Sequence, residues 1–218
     1  MLFYNSLLYS VFISILLVLI NLKIFNILGN KLKIDKNISN LIFSLSLIFI
    51  IFYLLNDILS LLKISPGSDA ISFYFNAEQK VLYEKIPLTS GHNFFTYLIY
   101  LLKLLSFDFI SINFLFGILT SVSKLIFYYC ISKFFTNTLD KYLILLFIFL
   151  PSYNFWSSGI SKDTLTIFLF SLFLFSFVKN NFKFFLIALL FLSFIRLHLF
   201  YIVTLTFLLT TICLFTYS

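Results

Sequence analysis

Apolar positions in this chain come in long unbroken runs, too long for the core of a soluble fold. Leu2 to about Leu22 and Leu41 to about Leu62 are almost wholly aliphatic or aromatic, and about 20 such residues cross a hydrocarbon core about 30 Å thick. Both predict membrane spans. Further runs lie at about 94–105, 110–132, 142–158 and 164–178. The first of these is only about a dozen residues, roughly 18 Å of helix, and predicts a partial or steeply inserted helix. The last stretch, Phe184 to Ser218, is too long for one straight span and is interrupted by Arg196 and His198. It predicts two short helices that meet near Arg196-Leu197-His198. The reading that follows is an all-α, polytopic transmembrane bundle of about 7 spans, forming one integral membrane domain over residues 1–218.

The polar breaks set the orientation. Lys23 to Asn40 carries Lys31, Lys33 and Lys36; two later breaks, 133–141 and 179–183, are also flanked by Lys. Lysine-rich connections stay in the cytoplasm, so these three are predicted inside. The longest non-spanning stretch, 63–93, is then the first external loop. Pro66, Gly67, Pro87 and Gly91 mark its turns, and residues 69–85 read as one or two interfacial helices anchored by Phe73, Tyr74 and Tyr83. Asn56 and Asp57, near the outer end of the second span, are expected within reach of water. The first run lacks the basic leader and small-residue cleavage site of a signal peptide and reads as a retained span. The chain stops just after an apolar run with no basic tail, which suggests a piece of a longer reading frame.

Composition sharpens the class. Of 218 residues, 61% are hydrophobic and 11% charged, with a mean hydropathy of +1.09, whereas soluble domains run near a quarter charged. That excludes an ordinary cytosolic globule, and so much apolar surface excludes disorder. The net charge of +7 reports topology and not nucleic acid, because the lysines sit in short connections between spans. Cys130 and Cys213 are too few for a disulfide framework or a zinc site.

In so apolar a chain the polar groups carry the chemistry, since an ionisable group in a membrane is costly and usually faces a cavity or a partner. Four clusters stand out: Asp69 with Tyr74 and Glu78; Gly91-His92-Asn93; Lys162-Asp163; and Arg196 with His198. Asp69 and Asp163 each suit the first turn of a helix, where an acid caps or complements the dipole. Each equally suits a general base or a metal ligand at the membrane surface. Lys162 fits a snorkelling anchor, His92 a polar loop residue. Arg196 is the only arginine; its guanidinium grips phosphate bidentately, where lysine offers a point charge. On one continuous helix Arg196 and His198 would point about 200° apart, so a shared ligand requires a break between them. No glycine-rich phosphate loop, metal-spaced Cys/His set or nucleophile elbow occurs.

The order of these clusters carries a resemblance. PGSDAISFYFNAEQ after a span, then the GHNFFTYLIYLL segment, LPSYNFWSSGISKDTLTIF and FIRLH resemble the bacterial multi-spanning glycosyltransferases of the C superfamily and their polysaccharide-assembly relatives. The likeness covers about residues 41–200. It rests on an acid followed at helical spacing by a Tyr and a small residue, here Asp69, Tyr74 and Ala77, and on a second acid opening a later span, here Asp163. Where that family has paired acids, this chain has Asp69-Ala70.

The resemblance implies transfer of a sugar from a polyprenyl-phosphate carrier to a glycan or lipid acceptor at the outer face of a bacterial plasma membrane, with inversion. Asp69 would be general base and Asp163 would orient the acceptor or a divalent cation. Arg196, with Lys162 or His198, would hold the lipid phosphate, and Tyr74, Glu78 and His92 would line the site. A polysaccharide polymerase and a non-enzymatic transport or scaffold component are the alternatives. A transporter is expected to show inverted repeats or matching broken helices, and the sequence shows neither.

Overall fold

A computed structural model describes residues 2–62, 69–89, 91–135, 137–151, 154 and 157–217, with side chains from Tyr9 to Leu208 except that of Thr138. Among them there are nine helices and no strand. They are α1 (Leu2–Leu32), α2 (Lys36–Leu61), α3 (Asp69–Glu78), α4 (His92–Leu104), α5 (Phe109–Ser132), α6 (Thr138–Ile148), α7 (Lys162–Val178), α8 (Phe182–Ile195) and α9 (Leu197–Tyr217). A wider π-helical turn, Gln79–Tyr83, extends α3. Three helices are long and apolar enough to cross a membrane: Tyr9–Leu32, Lys36–Leu61 and Phe109–Ser132. Large apolar side chains such as Phe12, Leu19, Ile48 and Phe52 stand exposed along α1 and α2, as a lipid-facing surface does.

α5 is the axis of the bundle: 72% of its apolar window is buried, against 22% for α1 and 33% for α2. Buried polar contacts fix the neighbours' directions. Ser10 donates to Asp108, which also caps α5 through the Ser111 N–H, and Asn21 pairs with Ser121 at 3.1 Å, so α1 runs parallel to α5. α2 runs antiparallel, with Ile42 packed at the Leu125 level and Tyr53 beside Gly159. α7 lies parallel to α5, Tyr129 meeting Phe175, and α8 returns antiparallel, Phe173 packing on Phe185. The N-termini of α3, α4, α5 and α7 therefore gather at one end with the C-termini of α2 and α8.

Three expectations change. The first span does not stop at Leu22: α1 continues through Lys23 and Lys31 to Leu32, about 46 Å of helix, and only Lys33, Ile34 and Asp35 separate it from α2. Lys23 and Lys31 lie on exposed positions, where long aliphatic stems reach water without ending the helix. The run at 142–158 is not one helix. α6 stops at Ile148 because Pro151 lacks an N–H and clashes with the preceding turn. Beyond the break Asn154 donates to the carbonyls of Ile148 and Leu150 at 2.8 and 2.9 Å, satisfying acceptors that the broken helix leaves open.

Asp57 is not at a watery surface either; it is fully buried in α2, because the turn 157–161 and α3 close over that end of the bundle. As expected, the 94–105 run forms a short helix, α4, and the last stretch divides at Arg196. Lys63, the turn markers Pro66 and Gly67, and Cys213's side chain lie outside what the structure describes.

Candidate functional site

The backbone at 157–160 is buried and leads into a part-buried Ser161, and irregular backbone at membrane depth persists only where protein groups satisfy it. Here they do. Asn113 Oδ1 accepts from the Ile160 N–H at 3.1 Å, and Thr120 donates to the Ser157 carbonyl. Thr164 Oγ1 lies 2.8 and 2.7 Å from the Ser157 and Gly159 carbonyls. A Cβ on Gly159 would lie 2.1 Å from the Tyr53 ring and 2.6 Å from Asn113 Oδ1, so only glycine lets α2 and α5 close on this turn. Ser161 then caps α7 by accepting from the Thr164 N–H at 3.1 Å. With the cap filled by Ser161, the Asp163 carboxylate is not needed for it.

Asp163 instead accepts from Arg196 Nη2 in a part-buried ion pair. Arg196 closes α8 in an extended conformation, φ −142° and ψ 80°, its N–H donating to Leu192 and its carbonyl accepting from Phe200. That break turns the guanidinium back toward α7. Its Nε is buried and meets no acceptor among the described residues.

Asp69, Lys162, Asp163 and Arg196 line one cavity of about 70 Å³ together with Tyr53, Phe73 and Ser161. It has room for a phosphate-sized group or about two waters. Two carboxylates and two cations line it, and Asp69 makes no ion pair among the described residues. A wholly apolar groove of about 300 Å³ lies between α4, α5, α7 and α8. Phe94, Leu98, Phe116, Phe168, Leu169 and Phe191 line it, and it reaches Ile195 and Leu165, one residue from Arg196 and two from Asp163 in the chain.

His92 opens α4 beside this cavity. Its ring packs on Phe73 with centroids 4.6 Å apart, and its Nε2 lies 3.4 Å from Lys80 Nζ. An ammonium only donates, so Nε2 is the acceptor and the proton sits on Nδ1. Burial, then Lys80 and Lys162, hold its pKa below the usual 6.5 against the opposing pull of Asp69. Gly91 holds the turn before α4 at φ +79° and donates its N–H to the Phe194 carbonyl, tying α4 to the end of α8 that carries Arg196.

Not every expected partner joins. Tyr74 and Glu78, grouped with Asp69 by sequence, occupy another face of α3, because a helix turns by about 100° per residue and only Phe73 follows Asp69 into the cavity. Lys103 takes that face. Its Nζ donates to the Tyr74 carbonyl at 3.3 Å, sits 4.8 Å above the Tyr74 ring and pairs with Glu78 at 3.7 Å. Burial and Asp108 raise the Tyr74 pKa, so its hydroxyl stays neutral. His198 is exposed on the first turn of α9 and does not line the cavity, because the helix break falls at Arg196 and leaves His198 on the next helix.

Sequence reasoning missed Tyr53, Phe73 as a cavity wall, and Ser161. The signal was the set of polar residues inside apolar helices, Asn113, Thr120 and Thr164, which hold the turn presenting Ser161. Among the described residues no third His, Cys, Asp or Glu joins Asp69 and Asp163 to make a metal-ligand cluster. Compared with protein-family models, curated proteins and solved structures, the chain matches none.

Proposed function

We propose that the chain is a membrane glycosyltransferase that moves a sugar from a polyprenyl-phosphate carrier to a glycan or lipid acceptor at the outer face of the membrane. The observation that carries this reading is a charged cavity and an apolar groove lined by neighbouring residues, Arg196 beside Ile195 and Asp163 two residues from Leu165. An amphiphile with an anionic head and a hydrocarbon tail fits that arrangement, the head at Arg196 and Lys162 and the tail against Phe116, Phe168 and Phe191. Arg196, with an unused Nε donor and one arm on Asp163, holds the phosphate; Asp163 keeps the guanidinium in place.

Asp69, which makes no ion pair among the described residues, takes the proton of the acceptor hydroxyl. The oxygen then attacks the anomeric carbon as the bond to the phosphate oxygen breaks. Polyprenyl phosphate leaves with the electron pair, its growing charge met by Arg196 and Lys162, and the sugar inverts at that carbon. The test is sugar transfer by the purified chain in proteoliposomes, supplied with a panel of polyprenyl-phosphate sugars and a lipid or glycan acceptor. Transfer from at least one donor supports the reading; none from any donor, by protein shown to be inserted and folded, contradicts it.

A further inference from the structure

Toward the other end of α5, a 24-residue helix about 36 Å long, the bundle has a second polar cavity, beside Tyr128, Tyr129 and Ser132 and away from the Asn113 level where the turn before Asp163 packs. Its volume is about 300 Å³ and it lies where α1, α2, α5 and α6 converge. Lys33, Lys133 and Lys141 line it with one carboxylate, Asp35, leaving two positive charges in excess. Asp35 is occupied: its carboxylate caps α2, accepting from the Asn37 and Ile38 N–H groups at 2.7 and 3.4 Å.

The lysines have no such partner. None of the three makes an ion pair among the described residues, and Lys133 is 5.3 Å from the ring of Tyr129. Lys179, from the end of α7, lies at the same distance from the same ring, so two ammonium groups share one aromatic side chain.

Membrane topology and helix dipoles account for part of the set. Lys33 and Lys133 follow the C-termini of α1 and α5, where cations are favoured. Lys141 is different: it sits in the first turn of α6, where the dipole disfavours a cation and favours an anion. Lys141 is also half-buried. Its position adds to the positive potential of the cavity against the dipole of its own helix; Asp140, its neighbour in that turn, lines a different cavity.

We infer that this cavity binds the phosphate of an anionic lipid headgroup from the leaflet at the lysine-bearing end, the one read as cytoplasmic. Basic pockets between helices on that side suit such headgroups. The cavity opens between helices whose other faces are apolar, so the acyl chains stay in the bilayer while Lys33, Lys133 and Lys141 hold the phosphate.

The test uses the full chain in mixed phosphatidylcholine–phosphatidylglycerol bilayers, with lipid retention read by native mass spectrometry. Wild type is expected to retain phosphatidylglycerol over phosphatidylcholine. Lys133→Gln with Lys141→Gln should lower that preference about fivefold for each lysine removed, while Lys23→Gln, on the exposed side of α1, leaves it unchanged. An unfolding midpoint in neutral detergent equal to wild type shows that the double variant is folded.

No preference in wild type, or an equal loss in Lys23→Gln, would overturn the inference, the second showing diffuse surface charge. Stabilisation by inorganic phosphate with no further gain from phosphatidylglycerol would overturn the lipid as its source. Sugar transfer does not enter the readout, so this result stands apart from that of the function test.

Discussion

At the scale of single residues, the site depends on which polar groups are already committed. Ser161 fills the cap of α7, so Asp163 is available to Arg196, and Arg196→Lys should restore little of what Arg196→Gln removes, because an ammonium cannot bridge Asp163 and a phosphate as a planar fork does. The readout is transfer rate at saturating donor, and full activity in Arg196→Lys would contradict the bridging role. His92 gives a pH prediction. Its folded pKa is depressed, so the unfolded chain binds the proton first as pH falls. The stability gained by a neutral His92 is complete above about 6.5 and is lost as pH drops toward the lowered value. The unfolding midpoint of wild type should therefore fall more steeply between pH 7 and 5 than that of His92→Gln; parallel curves would contradict it. Lys124 is 1% exposed inside α5, with no hydrogen-bond acceptor for its Nζ among the described residues and only the rings of Phe49 and Phe149 nearby at 5.8 and 5.3 Å. Burying an amine without an acceptor is costly, so Lys124→Met should raise the unfolding midpoint, by about 2–4 °C for each kcal/mol regained.

At the scale of elements, what the sequence displays well are the long helices and what it hides are breaks and faces. α2 and α5 are legible because apolar runs of more than 20 residues admit no other membrane structure. The division at Arg196 is legible because a lone arginine in FLSFIRLHLF leaves a continuous span at high cost. The Lys23 boundary misleads, since a lysine stem can lie along a helix that continues, and hydropathy cannot tell that from a loop. Pro151 was visible, but its consequence depends on Asn154 and Thr120, which satisfy the broken turn from positions that only the fold brings together. Tyr74 and Glu78 share a short segment with Asp69, yet Lys103, 25 residues further along the chain than Glu78, decides which way that face of α3 turns. The turn that carries this end of the bundle gives an element-scale prediction. Gly91 sits at φ +79° and ψ −118°, a conformation that costs a non-glycine residue about 1–3 kcal/mol. Gly91→Ala should destabilise by that amount in denaturant titration and weaken donor binding, because the Phe194 link beside Arg196 loosens. An unchanged midpoint would show that the turn relaxes freely.

For the whole molecule, the carboxylate cavity and the lysine cavity lie toward opposite ends of α5, so a membrane that α5 crosses would separate them. In a cysteine-free background, Tyr83→Cys should react with an impermeant maleimide added outside intact cells, and Lys183→Cys only after permeabilisation; the reverse pattern would invert the orientation. The central claim is that Asp69 removes the acceptor's proton in a cavity whose phosphate-binding side is Arg196 and Lys162. The measurement that bears on it most directly compares Asp69→Asn with wild type in proteoliposomes, using whichever polyprenyl-phosphate sugar wild type accepts. The amide keeps the shape and removes the base, so transfer should fall by about 10²–10⁴-fold while insertion and donor binding stay at the wild-type level. Turnover equal to wild type would contradict the account.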